Sequence, residues 1–228
     1  MCLVAAGGKE CVVKMKFDYR KYPITSVVIG ICVIVYIYTT LKYGIEMNVY
    51  QGIESGGFNP ILVIHLKDYY RLITANFIHF GLMHIFCNCY SLLNFGSVME
   101  YLLGQKRYTI VMIASMLATT IFPCALYLIN GSGANSVMGG ISGAIFGLMG
   151  ALLALAMKFK SVYAYVFKQI ASSVILMLLI SFLVPSISLV GHVSGMIGGF
   201  IAMLLIIKFM PLDIWKSHRT HSNYNTFN

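Results

Sequence analysis

Six stretches of 17 to 23 mostly apolar residues run through the chain, and they constrain its fold more than any other feature. Each is long enough to cross the hydrocarbon core of a bilayer as a helix, which takes about 20 residues. Only 10% of the 228 residues are charged and 59% are apolar or aromatic, which excludes a water-soluble globule and a disordered chain. We therefore predict an all-α membrane protein with spans at residues 24–41, 80–99, 108–128, 141–157, 162–184 and 189–210.

The Lys and Arg residues are distributed unevenly around these spans. Thirteen of the 16 lie before span one, between spans two and three, around the start of span five, or at and after the end of span six. The other three are Lys42, Lys67 and Arg71. Because positively charged loops stay on the cytoplasmic side, we expect a multi-pass protein of the cell membrane with both termini in the cytoplasm. The chain then divides into a basic N-terminal segment (1–23), a six-span core (24–210) and a cytoplasmic tail (211–228).

Four polar side chains fall at one depth in this topology. Spans two, four and six all begin at the outer face. Ser142 is the second residue of span four, and His192 lies near the start of span six. His84 and Asn88 lie about one and two turns into span two, spaced i and i+4 on one helix face. We therefore expect these four side chains to meet near the outer surface.

Ser142 and His192 form a pair suited to nucleophilic catalysis. A serine hydroxyl is a weak nucleophile until a base takes its proton, and a neutral imidazole can do so. No acidic residue lies at the same depth in the predicted spans, so the pair is predicted to work as a dyad. Phe146, one turn below Ser142, is expected to stack on the imidazole of His192.

Hydrogen-bond donors for a developing negative charge are also present at this depth. The candidates are the backbone N–H of Ser142 and the side chains of His84 and Asn88. Gly140, two residues before the nucleophile, is assigned to the same oxyanion hole, because it lets the backbone approach a substrate closely. Small residues allow two helices to pack tightly in lipid, and those expected to bring spans four and six together are Gly143, Gly195 and Gly199.

Three separate motifs resemble those of the rhomboid intramembrane serine proteases. They are HFGLMHIFCN at 79–88, GGISGAIFG at 139–147 and GHVSGMIGG at 191–199, in the family's order and on the corresponding spans. The similarity covers roughly residues 69–205 and extends to Arg71 in YYRL and Glu100 in GSVMEYLLG. It implies a rhomboid-like six-helix bundle of the basic bacterial type.

The resemblance also implies roles for single residues. Ser142 is then the nucleophile, His192 the general base, and His84 and Asn88 contributors to the oxyanion hole. One departure is Phe146, because some members of the family have Tyr at that position. The implied activity is endopeptidase cleavage of transmembrane segments near the outer membrane face. The partners are transmembrane substrates and the lipid bilayer, without nucleic acid, metal or cofactor.

Other interpretations stay open at the level of sequence. Inactive members of the superfamily bind membrane clients, but an intact Ser–His pair argues for an enzyme. A transporter is disfavoured because the spans lack charge away from their ends. His79, His84, Cys87 and Cys89 could suggest a metal site, yet the two cysteines face different sides of the helix. Span five and the loop 185–191 are candidates for an element that moves to admit substrate.

Overall fold

The computed structural model describes residues 20–160, 163, 167, 168, 175 and 188–210. Regular structure in these ranges is helical, apart from an isolated β-bridge between Phe58 and Met138, so the predicted all-α class is confirmed. A 3-10 turn (Ala75–Phe77) precedes α5, and a π-helical turn (Leu92–Gly96) follows it. The α-helices are α1 (Pro23–Tyr43), α2 (Val49–Glu54), α3 (Pro60–His65), α4 (Arg71–Thr74), α5 (Leu82–Ser91), α6 (Ser97–Asn130), α7 (Ser142–Lys158) and α8 (Leu189–Phe209).

Three helical stretches of the described residues are long and apolar enough to cross a membrane: Pro23–Tyr43, Leu82–Asn130 and Leu189–Phe209. Helix α7 is equally apolar but has 17 residues. These helices coincide with predicted spans one, two, three, four and six. Predicted span five, apart from four single positions, lies outside the described residues, as do most of the two terminal segments and residues 185–187.

Gly104 reverses the chain within the longest stretch. It adopts φ 72° and ψ 159°, a non-helical conformation that favours glycine. The hydroxyl of Tyr108 lies 3.0 Å from the point where a Cβ on Gly96 would stand. In a continuous helix these two residues would be about 18 Å apart along the axis. Leu82–Asn130 therefore forms two antiparallel arms, 82–103 and 105–130, where spans two and three were predicted.

Glu100 joins the first arm to the start of α1. Its carboxylate accepts the backbone N–H groups of Ile24 and Thr25 at 3.0 and 2.8 Å. Thr25 also donates its hydroxyl to Tyr108 at 3.0 Å. The first N–H groups of a helix have no partner within the helix, and the positive end of its dipole attracts a carboxylate. The charge of Glu100, which is buried, is thereby compensated at this end of the bundle.

Paired glycines hold α7 against α8. A Cβ on Gly195 would collide with the carbonyl oxygen of Gly143, and one on Gly199 would collide with that of Gly147. The side chain of Thr119, from α6, occupies the space beside Gly143 and leaves no room for a Cβ there. The expected close packing of small residues is therefore observed. It brings the first turns of α7 and α8 together, which positions the site described below.

The segment between α1 and α5 is organised around Arg71. The buried guanidinium donates to the carboxylate of Asp68 at 2.9 Å. It also donates to the backbone carbonyls of Ile53 and Gly57 at 2.6 and 3.0 Å. The cation on α4 thus ties together the end of α2, the loop at Gly57 and the loop at Asp68. The β-bridge at Phe58 links this segment to the loop before α7, so both line the same end of the bundle.

Candidate active site

The side chains of Ser142 and His192 meet where α7 and α8 begin. His192 Nε2 lies 2.8 Å from Ser142 Oγ, a hydrogen-bond distance. Ser142 is the first residue of α7. His192 stands in the first turn of α8, where the Ser188 side chain caps the helix by accepting the N–H of Gly191 at 3.0 Å. The two residues that the sequence placed at one depth are therefore in direct contact.

Phe146 fixes the plane of the imidazole. Its ring stacks on that of His192 with centroids 4.3 Å apart and an interplanar angle of 19°. Phe146 is itself fully buried, so it offers a rigid apolar surface to the ring. The stacking expected from the sequence is confirmed. Phe146 can thus orient the imidazole toward Ser142 by packing.

The peptide at the start of α7 offers backbone donors to the site. The carbonyl of Ile141 accepts the N–H groups of Ala144 and Ile145, which marks the helix start. The N–H groups of Ser142 and Gly143 precede this first turn of hydrogen bonds and are directed out of the helix end. The positive end of the helix dipole lies at the same point. An anion beside Ser142 would therefore be stabilised.

Gly140 brings the loop before α7 against the side chains of α5. Its φ is 109°, and a Cβ there would stand 2.6 Å from His84 Nε2 and 3.2 Å from Asn88 Nδ2. The N–H of Gly140 is already donated to the carbonyl of Ala75 at 2.9 Å. Gly140 therefore contributes to the site by its missing side chain, while the donors on this wall are His84 and Asn88.

His84 and Asn88 present N–H groups to the space in front of Ser142. The backbone N–H of Phe80 reaches His84 Nδ1 at 3.5 Å, a long contact that favours the tautomer with its proton on Nε2. Asn88 is 4% exposed, and its Nδ2 has no hydrogen-bond partner among the described residues. A buried donor without a partner costs about 1–3 kcal/mol. It marks a place where a ligand atom can be accommodated.

These polar side chains line one cavity of about 840 Å³. Ser142 and His192 contribute from α7 and α8, His84 and Asn88 from α5, and Thr119 from α6. The volume suffices for several residues of a peptide. Apolar side chains complete the lining: Met47, Phe58, Phe80, Met83, Val137 and Met138.

His79 packs against His84 and does not itself line the cavity. The two rings have centroids 5.0 Å apart, and His79 Nδ1 lies 3.1 Å from the carbonyl oxygen of Phe77. Burial, and secondly the neighbouring His84, lower the pKa of His79 to about 3, so its ring is neutral. No group of three or more His, Cys, Asp or Glu side chains that could hold a metal occurs in the part of the chain described here.

Comparison with known proteins assigns the family. Residues 66–209 match the family model of the Rhomboid domain. The chain belongs to the rhomboid family. The match covers more than half of the chain and nearly coincides with the region of resemblance at residues 69–205. Together with the apolar helices, membership of the rhomboid family establishes a multi-pass membrane protein.

Curated relatives with rhomboid names are similar over different shares of their length. The rhomboid protease GluP of Bacillus subtilis is 30% identical over 139 residues, which are 59% of this chain and 25% of GluP. RHOMBOID-like protein 6, mitochondrial, of Arabidopsis thaliana is 29% identical over 164 residues, 71% of this chain and 51% of that protein. YdcA, a further rhomboid of Bacillus subtilis, is 26% identical over 190 residues, 83% of this chain and 91% of YdcA. The chain thus spans a quarter to a half of the first two rhomboids.

Several polar residues of this rhomboid cavity were not predicted from the sequence, among them Thr119 and Glu46. Thr119 lines the cavity from α6 and donates its hydroxyl to the carbonyl of Ser115 at 2.8 Å. A polar Thr119–Thr120 pair inside an apolar run was the available signal. Glu46 lines the cavity from the segment between α1 and α2. Nothing in its sequence neighbourhood pointed to the site, because its position depends on contacts with distant residues.

Proposed function

We propose that this rhomboid is an intramembrane serine endopeptidase with Ser142 as nucleophile and His192 as general base. The observation that carries the proposal is the 2.8 Å contact between His192 Nε2 and Ser142 Oγ within a large cavity. A surface serine with a nearby histidine would lack such an enclosed binding space. The protease name of the relative GluP supports the same activity.

The chemistry follows from the roles of the two side chains. Ser142 Oγ attacks the carbonyl carbon of the scissile peptide bond while its proton moves to His192 Nε2. The tetrahedral intermediate collapses when the C–N bond breaks, and His192 returns the proton to the leaving amine. Water then attacks the acyl ester with His192 again acting as the base. Both products leave, and Ser142 recovers its hydroxyl.

Three donors converge where the oxyanion forms. They are the backbone N–H of Ser142, the Nε2–H of His84 and the Nδ2–H of Asn88. Donors that are fixed before the reaction stabilise developing charge without reorganising. The Nδ2 of Asn88 supports this assignment, because it has no acceptor among the described residues and the oxyanion supplies one. Gly140 enters the mechanism as the residue that leaves room for the substrate carbonyl.

We place the site near the outer face of a cell membrane. The proposed topology has six spans, 24–210, with the segments 1–23 and 211–228 in the cytoplasm, because most Lys and Arg residues lie on that side. The cavity lies at the end of the bundle that carries the segment between α1 and α5. That end faces outward in this topology, so cleavage occurs near the outer end of a substrate's transmembrane segment.

The proposed substrates are transmembrane segments that unwind locally. A helical segment has its backbone carbonyls hydrogen-bonded, and these bonds must open before Ser142 can attack. Small or helix-breaking residues near the outer interface make such opening easier. We therefore expect cleavage to be fastest when such residues flank the scissile bond.

The test is cleavage of a fluorogenic transmembrane substrate in liposomes by wild type, Ser142→Ala and His192→Ala. Each substitution should lower kcat by at least about a thousandfold. Ser194→Ala is the matched control, because it removes a buried hydroxyl from α8 two residues from His192 and outside the cavity. Labelling of Ser142 with a fluorophosphonate gives a second readout. A folded wild type that neither cleaves nor labels would refute the enzyme and favour a rhomboid that only binds membrane clients.

A further inference from the structure

A single carboxylate stands at the rim of the cavity. Glu46 lines the cavity and is exposed, and a Cβ on Gly81 would overlap with its carboxylate group. Gly81 is the residue before α5, and His84 lies in the first turn of that helix. The carboxylate of Glu46 is therefore about one helical turn, roughly 5 Å, beyond His84 along the α5 axis.

The backbone on both sides of Glu46 is anchored. The carbonyl of Ile45 accepts the hydroxyl of Tyr36 at 2.9 Å. The N–H of Met47 is donated to the carbonyl of Phe80 at 2.8 Å. Glu46 thus has a fixed Cα position against the start of α5. Its carboxylate lies against Gly81 at the cavity wall.

Glu46 differs from the other two acidic residues of this segment, each of which forms a salt bridge within the described part of the chain. Glu54 pairs with Lys42 at 2.7 Å, and Asp68 pairs with Arg71 at 2.9 Å. Among the described residues, no Lys or Arg forms a salt bridge with Glu46. The cavity therefore contains an unneutralised acceptor at its rim and the unpartnered buried donor of Asn88 at its base. A ligand that satisfies both carries a cationic group and a carbonyl oxygen.

We propose that Glu46 forms a subsite for a basic side chain of the substrate, a few residues from the scissile bond. This inference rests on the proposed protease function and adds a specificity to it. The path from Ser142 past Gly140 and His84 to Gly81 is on the order of 10 Å, which about three residues of an extended chain cover. A Lys or Arg at that spacing binds Glu46 while the scissile peptide bond lies in front of Ser142.

The experiment compares one transmembrane substrate in versions that carry Gln, Lys or Glu at each position within four residues of the scissile bond. At one of these positions, wild type should cleave the Lys version with a kcat/KM about threefold to tenfold higher than that of the Gln version. The Glu version at that position should be cleaved more slowly than the Gln version. Glu46→Gln should abolish this ranking, and Glu46→Lys should reverse it. Glu54→Gln removes the same charge from the same segment outside the cavity, so it should retain the wild-type ranking.

The Gln substrate separates the two levels of the proposal. If folded wild type cleaves the Gln version at none of the positions, the protease function itself is wrong. If wild type cuts all three versions equally at every register, or if Glu46→Gln keeps the preference for Lys, the protease stands and the subsite is overturned. Fluorophosphonate labelling of Ser142 in each variant verifies that the dyad is intact, so a misfolded variant is recognised before its ranking is measured.

Discussion

Replacing Gly140 by alanine tests whether the loop before α7 and the α5 wall form one site. The native φ of 109° strains an L-residue by about 1–3 kcal/mol. The added Cβ would stand 2.6 Å from His84 Nε2, whereas ordinary contacts need about 3.5 Å. His84 must therefore retreat by roughly 1 Å. Loss of one oxyanion donor costs about 100-fold to 1000-fold in kcat, and we expect Gly140→Ala to fall in that range.

Gly131→Ala is the matched control for backbone strain. Gly131 also has a positive φ, 74°, but an added Cβ there meets no atom within 4 Å. Both variants should lose thermal stability, and Gly140→Ala should lose more because its Cβ also clashes with His84, while Gly131→Ala keeps the wild-type kcat. The assay is cleavage of the liposome substrate, with Tm measured on the same preparations. A Gly140→Ala enzyme within about threefold of the Gly131→Ala enzyme would refute the proposed geometry.

A double-mutant cycle with His84→Ala tests whether Gly140→Ala lowers kcat by displacing His84. If Gly140→Ala acts by displacing His84, it should add little to the loss already caused by His84→Ala. If the two losses multiply, the alanine acts elsewhere, for instance by blocking the substrate directly. The cycle therefore distinguishes a damaged oxyanion hole from a damaged binding cleft, which a single variant cannot do.

Three further predictions follow from other contacts. Asn88→Ala should lower kcat by about 10-fold to 1000-fold with little change in Tm, because it removes a donor that forms no hydrogen bond among the described residues. Gly199→Ala should lower Tm because its Cβ would meet backbone atoms of α7, whereas Gly30→Ala, with open space around it, should leave Tm unchanged or raise it. His79 has a pKa lowered to about 3, so the unfolded chain binds the proton first and stability falls as pH drops below about 6.5. His79→Asn should reduce the loss of stability between pH 6.5 and 5 by about 2 kcal/mol, as measured by unfolding at both pH values.

The contact between Ser142 and His192 could be predicted because it depends on features that a sequence displays. Span ends fix the depth of each residue, and the charge distribution fixes which ends lie together. The glycines of α7 and α8 indicate which helices approach closely. Phe146 follows from helical periodicity alone. Each of these inferences needs only local patterns and one global constraint, the bilayer.

The remaining features depend on contacts between distant residues. Arg71 was visible as part of a motif, but two of its acceptors are backbone carbonyls 14 and 18 residues away. The π-helical turn Leu92–Gly96 has no compositional signal. Glu46 reaches the cavity only because Tyr36 and Phe80 anchor its neighbours. Backbone hydrogen bonds of this kind carry no side-chain signature, so the sequence could not place these residues.

The polar wall of the cavity has an energetic cost that the rest of the fold offsets. Asn88 Nδ2 is buried without a hydrogen-bond partner among the described residues, and a buried donor left in that state costs about 1–3 kcal/mol. The tight packing of α7 between α6 and α8 holds the adjoining loop at Gly140 against His84 and Asn88, which limits rearrangement around that donor. In the proposed mechanism the cost falls away in the tetrahedral intermediate, because its oxyanion accepts the Asn88 N–H. The interaction is thus stronger in the transition state than in the resting enzyme, which is the condition for it to accelerate the reaction.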